Sequence, residues 1–388
     1  MSTPSVYGKH PHSWRALLLQ LGVLALVGLA LWWLFGNTLA NMRARGMHAG
    51  FDFLRDPAGF EISESLIDYD SGQAFWRAFL VGLINTLRVA ALGIVFTTVL
   101  GTLIGIARLS RNFLLRMLAT GYVETLRNVP LLLQLLMWYF ILSDMLPASD
   151  TALMLAPGFF LSKSGLSFPL LVWPVGTKAT LIGLLAGFAL MGLYVFHTRT
   201  SFRKTGWSNV HWWLAAGLSL MCMLIVFFFG GGSISFDVPV QSSFNVSGGA
   251  AVTPEFLAVL LALTTYTAAF VAEVIRAGIQ SVPRGQIEAA SALGLTRAQS
   301  LRHVILPLAL RAIVPSMTNQ YLNLTKNSSL AVAVGYPDLV SIANTSLNQT
   351  GRAFECIALI MAVYLTLSLL TALWMSRLNL RVVLRGHQ

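Results

Sequence analysis

Residues 281–307 read SVPRGQIEAASALGLTRAQSLRHVILP, a polar interruption in a chain made largely of long apolar runs. Pro283 suits a first helical position and Gly294 a left-handed C-terminal cap, which predicts a short helix through Glu288, Ala289, Ala290, Ser291 and Ala292. Thr296 followed by Gln299 has capping-box spacing, so a second helix should start at Arg297 and run to Leu306-Pro307. Each helix falls below the ~12–15 residues that an isolated helix needs for marginal stability. Leu293, Leu295 and Leu301 cannot all be hidden in so small a unit. The stretch therefore predicts a helix-turn-helix that completes its packing on a partner.

Working outward, 56% of the residues are hydrophobic and 11% charged, far from the ~25% charge of a soluble domain. The chain belongs in a bilayer. Its net charge of +11 does not point to nucleic acid, because the basic residues form no single stripe and accompany no nucleic-acid motif. Cys222 and Cys356 sit in apolar segments without CxxC spacing, which argues for packing thiols and against a disulfide framework or metal pair. No GxxxxGK[ST] loop or HExxH motif occurs, so ATP hydrolysis by that route and metal chemistry are not expected of this chain.

The expected fold is an all-α polytopic membrane protein with about eight transmembrane helices. Apolar runs lie at about 17–35, 79–107, 118–142, 179–196, 212–229, 255–276, 307–334 and 354–374, most of them near the ~20 residues that cross hydrocarbon. The first is too long for a signal-peptide core and reads as an uncleaved helix, a cleavable signal ending near Ala40 being the alternative. Residues 50–74 carry Asp52, Asp56, Glu61, Glu64, Asp68 and Asp70 without a long apolar run and are expected in the periplasm. Arg108, Arg111 and Arg116 fill a short loop without one acid, which assigns that loop, the 281–307 stretch and both termini to the cytoplasm. Residues 143–179 and 230–253 read as Pro- and Gly-containing connections. Gly101 and Gly105 have the spacing that lets membrane helices approach closely.

Polar residues within spans are the candidates for transport. Glu124 and Arg127 share a helix face at three-residue spacing and can neutralise each other, either as transport residues or as a structural ion pair. Pro130 can open the backbone ladder, and Gln134 offers a polar group one turn beyond. Lys326, with Asn323, Thr325, Asn327 and Ser328, can line a wet cavity in which the ammonium meets a substrate carboxylate. Snorkelling to an interface, or pairing with Glu124, is the alternative. Glu273 and Arg276 repeat the acid/base spacing and are read as an anchor for the 281–307 stretch.

Glu288-Ala289-Ala290, Gly294, Val304, Leu306 and Pro307 resemble the coupling loop of ABC importer permeases, with Val304 where the family pattern has isoleucine. Glu124, Arg127 and Pro130 resemble the pattern of polar amino-acid permeases. Asn327, where many have aspartate, resembles the broad-range L-amino-acid branch. The resemblance covers about 75–145 and 250–382, a core of five helices. An N-terminal helix with its following segment (1–74) and a two-helix insertion (146–250) are added to core parts at 75–145 and 251–388. Closeness to the larger permease of the general L-amino-acid importer rests on Thr125 to Gln134, Lys326 to Ser329 and Gly335 to Asp338.

This resemblance implies a multi-pass subunit of the bacterial inner membrane that moves L-amino acids inward by alternating access. Its implied partners are a second homologous permease, a cytoplasmic ABC ATPase dimer and a periplasmic amino-acid-binding protein. ATP would sit on the partner ATPase, and no cofactor in this chain. Glu288, Ala289, Ala290, Gly294, Leu306 and Pro307 would couple to the ATPase, and Glu124, Arg127, Gln134, Asn323, Lys326, Asn327 and Ser328 would line the path. An ion-driven secondary carrier using Glu124, Arg127 and Lys326 is the rival, disfavoured because no repeated halves are visible. A membrane scaffold without transport is a further alternative.

Overall fold

The computed structural model describes residues 14–44, 50–172 and 235–384, with isolated helical positions between 185 and 221. The expected spans at 179–196 and 212–229, and Cys222, lie outside the residues described throughout. The chain divides into two compact units, residues 1–135 with 259–388, and residues 136–258.

Helix α1 spans Trp14–Ala44 and α2 spans Phe75–Arg108. The expected third span is two helices, α3 (Phe113–Asn128) and α4 (Leu131–Phe140), the latter continuing as a π turn over Ile141–Met145. Their axes bend by 105°. Pro130 has no N–H to donate and disfavours helical backbone at the residue before it, and Val129 is extended accordingly at φ −95°, ψ 129°. The uninterrupted span read from hydropathy is therefore corrected to a broken one.

Helix α5 covers Pro254–Gln280, α6 Arg284–Ala292 and α7 Arg297–Ser300, followed by a π turn over Leu301–Ile305 that runs straight into α8, Leu306–Asn327. Leu306-Pro307 was expected to end a helix, but the helical path continues through it. Proline loses only its own N–H bond, and the π turn just before it already displaces the bonding register that this N–H would have joined. A 3₁₀ segment, Ser328–Val334, closes on Gly335 at φ +79°. Helices α9 (Leu339–Thr350) and α10 (Ala353–Leu384) complete the chain.

Among the described residues four helices are long and apolar enough to cross a membrane, or five if α3 and α4 count as one bent span. Helix α8, read as the seventh span, falls outside that set because Arg311, Asn319, Asn323, Lys326 and Asn327 dilute its apolar character.

The core of the first unit is held by close helix approach. A Cβ on Gly101 would sit 2.5 Å from a Val271 methyl, and one on Gly105 2.8 Å from the Ala272 carbonyl, so glycine is what lets α2 lie against α5. Tyr122 on α3 donates to the Thr265 carbonyl at 2.7 Å. Val271, Ile275, Ala309, Ile313, Met317 and Met375 join α5, α8 and α10 in one apolar cluster. Phe53, Ala58, Phe75, Phe79, Leu339, Ile342 and Cys356 form a second cluster, which packs residues 50–74 onto α2, α9 and α10.

The second unit contains short strands where connections were expected. β1 (Leu153–Ala156), β2 (Phe159–Ser162), β3 (Gly165–Phe168) and a later strand form an antiparallel sheet. β4 (Leu170–Val172) pairs with β5 (Ser235–Asp237), and β6 (Val240–Gln241) with β7 (Val246–Ser247). β8 (Ala250–Val252) is the fourth strand of the sheet, paired with β3. The helical class stands, and this insertion adds a small β element to it.

Candidate coupling and transport sites

The 281–307 stretch forms its hairpin by the turn chemistry read from sequence. Gly294 adopts φ +73°. Around it Leu295 N–H bonds the Ala290 carbonyl at 3.1 Å and Gly294 N–H the Ser291 carbonyl at 3.0 Å, the paired bonds of a Schellman cap. Pro283 stands at the N-cap, one residue before the helix. Thr296 and Gln299 exchange side-chain and main-chain bonds as a capping box.

Glu288, Ala289 and Gly294 are exposed, Ala290 is buried, Leu306 is exposed and Pro307 half-buried. Ala290 therefore packs inward, beneath the exposed face of the helix. At the turn, Leu293 is 80% exposed, and Ile287 and Leu301 are exposed as well. These large apolar groups around Glu288 on so short a unit are what an unpartnered docking surface presents. Ile287 was not singled out from sequence, although it precedes Glu288 in the same helix.

The residues proposed for the path separate into two groups. Glu124 does not pair with Arg127. It faces Arg108 at 3.7 Å, Arg108 also bonds Glu273 closely, and Glu273 bonds Arg276. Arg127 instead lies over the Phe270 ring, 5.2 Å from its centroid. The expected mutual neutralisation of Glu124 and Arg127 is replaced by this network because α3 turns the two side chains onto different parts of α5 and α2. Gln134 is buried, and its Nε2 donates to the carbonyls of Leu126 at 2.9 Å and Val129 at 3.0 Å. It repairs the backbone that Pro130 leaves open.

Asn323 and Lys326 lie on one exposed face of α8 with Asn319, and Asn327 is half-buried beside them. Ser328 is buried and donates to the Thr325 carbonyl at 2.8 Å. Lys326 makes no ion pair among the described residues, so the pairing with Glu124 is not formed. It borders a cavity of about 490 Å³ whose other walls include Ser329, Val340, Tyr364 and Ser368. Beneath that cavity Asp338 caps α9, accepting from Ser341 N–H at 2.8 Å, with the Tyr364 hydroxyl 3.5 Å from its other oxygen. Burial pushes the Asp338 carboxyl up to about 7. Asp338 carried no candidate role in the sequence beyond its place in a motif.

A hairpin of exposed apolar groups thus lies between two long helices, and the second of these carries an uncovered polar face. Residues 97–383 match the model of the binding-protein-dependent transport system inner membrane component family. The chain belongs to that family. It is a multi-pass membrane permease of the ABC importer type, and ATP hydrolysis is carried by a separate subunit. An ATPase and a substrate-binding protein are its general partners.

Three relatives match over nearly their whole length. The putative amino-acid ABC transporter permease protein YhdX of Escherichia coli (strain K12) is 48% identical over 95% of this chain and 94% of its own. The general L-amino acid transport system permease protein AapQ of Rhizobium johnstonii is 44% identical over 96% and 93%. The glutamate/glutamine/aspartate/asparagine transport system permease protein BztB of Rhodobacter capsulatus is 39% identical over 96% and 94%.

Proposed function

We propose that this permease passes L-amino acids from the periplasm to the cytoplasm, with Lys326 meeting the substrate carboxylate and Asn323 and Asn327 bonding its polar groups. The observation that carries the reading is the uncovered face of Asn319, Asn323 and Lys326 on a helix of the membrane core. Lipid does not tolerate such a face, whereas a watered path beside a second, homologous permease does. The names of three relatives covering most of their length favour amino acids as the class carried.

In this reading both termini and the 281–307 hairpin are cytoplasmic. An ATPase dimer receives the hairpin through Leu293, Ile287 and Leu301 around Glu288, with Ala289, Gly294 and Leu306 at its rim. ATP binds on that dimer. A periplasmic amino-acid-binding protein delivers substrate to the opposite side. Closure of the ATPase pair acts on α6, and α5 and α8, which emerge from the hairpin, tilt to expose the path in alternation. Nucleotide moves this equilibrium only because it favours one of the two states. Residues 75–145 and 251–388 form the transport core, and 146–250 is an accessory insertion. Glu124 and Arg127, through Arg108 and Phe270, and Gln134, at the α3–α4 junction, hold the core helices at the path's margin.

Reconstituted complex tests this directly. Lys326→Gln is expected to abolish or strongly depress uptake while ATPase assembly is retained, and Glu288→Lys to lose ATPase from the purified complex. Unchanged uptake by Lys326→Gln would remove the lysine from the path. Uptake driven by an ion gradient without ATPase would replace the importer reading with that of a secondary carrier.

A further inference from the structure

Asn85 lies fully buried in α2, among apolar neighbours, where a polar side chain is costly unless it is satisfied. Its amide nitrogen donates both hydrogens across long sequence distances. One goes to the Glu64 carbonyl at 2.8 Å and the other to the Pro337 carbonyl at 2.9 Å. These two acceptors fix the orientation of the amide, since the flipped group would set its oxygen against both carbonyls. The oxygen Oδ1 is left buried without a partner, so the site is shaped for a double donor.

On one side of this bridge stands the segment 50–74. The Glu64 carboxylate is bonded to Arg88, also on α2, and Phe53 and Ala58 pack the segment onto Phe75, Leu339 and Ile342. Arg88, an arginine within the expected second span, thus has its counterion in this segment. On the other side stands the loop 335–338, which joins the 3₁₀ segment to α9. Thr86 holds its end by accepting from Leu339 N–H at 3.1 Å, and the Tyr336 hydroxyl donates to the Asn85 carbonyl at 3.4 Å. Ser329 and Val340, which flank this loop in sequence, both line the cavity that Lys326 borders.

We infer that Asn85 is a positioning residue that ties the periplasmic segment 50–74 to the loop that joins two walls of the Lys326 cavity, the 3₁₀ segment with Ser329 and α9 with Val340. The inference rests on the reading of Lys326 as part of the path. The segment, the outer end of α2 and α9 move as one body in the transport cycle, and a displacement imposed at the outer surface reaches the cavity through Asn85. An apolar residue of similar volume would fill the space but bridge nothing, and aspartate, the same shape, has at most one hydrogen to donate and cannot bond both carbonyls.

The test uses the assembled complex in lipid nanodiscs, with Cys222 replaced by serine and nitroxide labels on Glu61→Cys and Asn348→Cys, two exposed positions on the segment and on α9. The distance distribution between the labels should be narrow, and the same with and without ATP trapped on the partner. Asn85→Asp should broaden it and lower the maximal uptake rate by about tenfold, the equivalent of one lost buried hydrogen bond. The concentration of binding protein giving half-maximal uptake should not change. Asn85→Leu serves as the second variant if the aspartate does not assemble.

A nucleotide-dependent change of several ångströms in the unsubstituted bridge overturns the inference, whether or not either variant assembles. So does a variant that loses uptake with the narrow distribution intact, or one that keeps both. Lys326→Gln should lower uptake and leave the distribution unchanged. If Lys326→Gln is harmless while Asn85→Asp still broadens the distribution, the substrate reading has failed and the bridge has not.

Discussion

The hairpin at 281–307 and the end of the core around Asn85 use similar polar residues at opposite scales of sequence separation. Thr296 and Gln299 satisfy each other three residues apart, whereas Asn85 reaches Pro337 across 252 positions. The hairpin closes its polar groups locally and leaves its apolar ones, Leu293 above all, uncovered. The Asn85 end does the reverse, burying its apolar groups in one cluster and spreading its polar bonds over α2, residues 50–74 and the loop before α9. A surface proposed to meet a partner thus closes its own polar groups and leaves its apolar ones to that partner. An end that must hold helices in place is built from contacts that only the complete fold provides. Substitutions should accordingly be damaging to stability at the Asn85 end and, in the proposed reading, damaging to partnership at the hairpin.

The largest effect is expected where a buried charge would lose its partner. Glu64→Gln leaves Arg88, a mostly buried arginine, without its carboxylate, and breaking a buried pair from one side costs about 3–5 kcal/mol. Thermal unfolding of the detergent-solubilised complex should show the loss. The double variant Glu64→Gln with Arg88→Gln should regain much of it, since the uncompensated charge is then gone. A double variant as unstable as the single would show that the pair acts by shape and not by charge.

Asp338 gives the next effect and supplies its pH dependence. Its carboxyl is raised from 3.8 in the unfolded chain to about 7 in the fold, because burial outweighs the bonds from Ser341 N–H and Tyr364. A raised acid contributes its full stability below the unfolded value and loses it as pH climbs through the folded one. The difference corresponds to an upper bound of about 4 kcal/mol between pH 4 and pH 8. Melting temperature should fall between about pH 4 and pH 7 and level off above, and Asp338→Asn, which still caps α9, should flatten the fall. An equal pH slope in the variant would assign the titration to another group.

Gln134→Leu is expected to cost about 1–3 kcal/mol, the penalty for the Leu126 and Val129 carbonyls losing their donor. Amide hydrogen exchange should rise locally at the junction of α3 and α4. This residue also marks how far the sequence could be read. Pro130 announced an opened ladder, but whether an opened ladder bends a helix depends on who satisfies the freed carbonyls. At Pro130 a glutamine four residues on does so and the axes turn by 105°. At Pro307 a π turn precedes the proline and the helix runs on.

The same division runs through the rest of the molecule. Caps, long apolar runs and the Gly101/Gly105 approach were legible because their causes lie within one element or one spacing. Arg108 read only as an inward-biasing charge, since nothing near it in sequence shows that Glu124 and Glu273 meet there. The strands of the insertion were missed because each is two to four residues long, too short for a period of two to emerge between the glycines and prolines. Asn85 carried no signal at all. Its partners are main-chain carbonyls, which every residue possesses, so no side-chain pattern at 64 or 337 announces the bridge.

The smallest effect on stability is the most telling about the hairpin. Leu293 makes no buried packing, so Leu293→Ser should alter unfolding by no more than ~0.5 kcal/mol, the range of an ordinary surface change. The Schellman bonds from Leu295 and Gly294 are main-chain bonds and survive the substitution. Yet, in the proposed docking reading, a leucine that is 80% exposed at the apex of the hairpin is the residue an ATPase groove would enclose. Co-purification of the ATPase with Leu293→Ser should therefore drop sharply while the permease melts as before. Thr296→Ala supplies the converse, costing about 1 kcal/mol through its lost cap. It should weaken the ATPase only as far as the hairpin frays. If both variants lost ATPase in proportion to their melting temperatures, the hairpin would act through its rigidity alone. Loss by Leu293→Ser at unchanged melting temperature assigns the contact to the side chain itself.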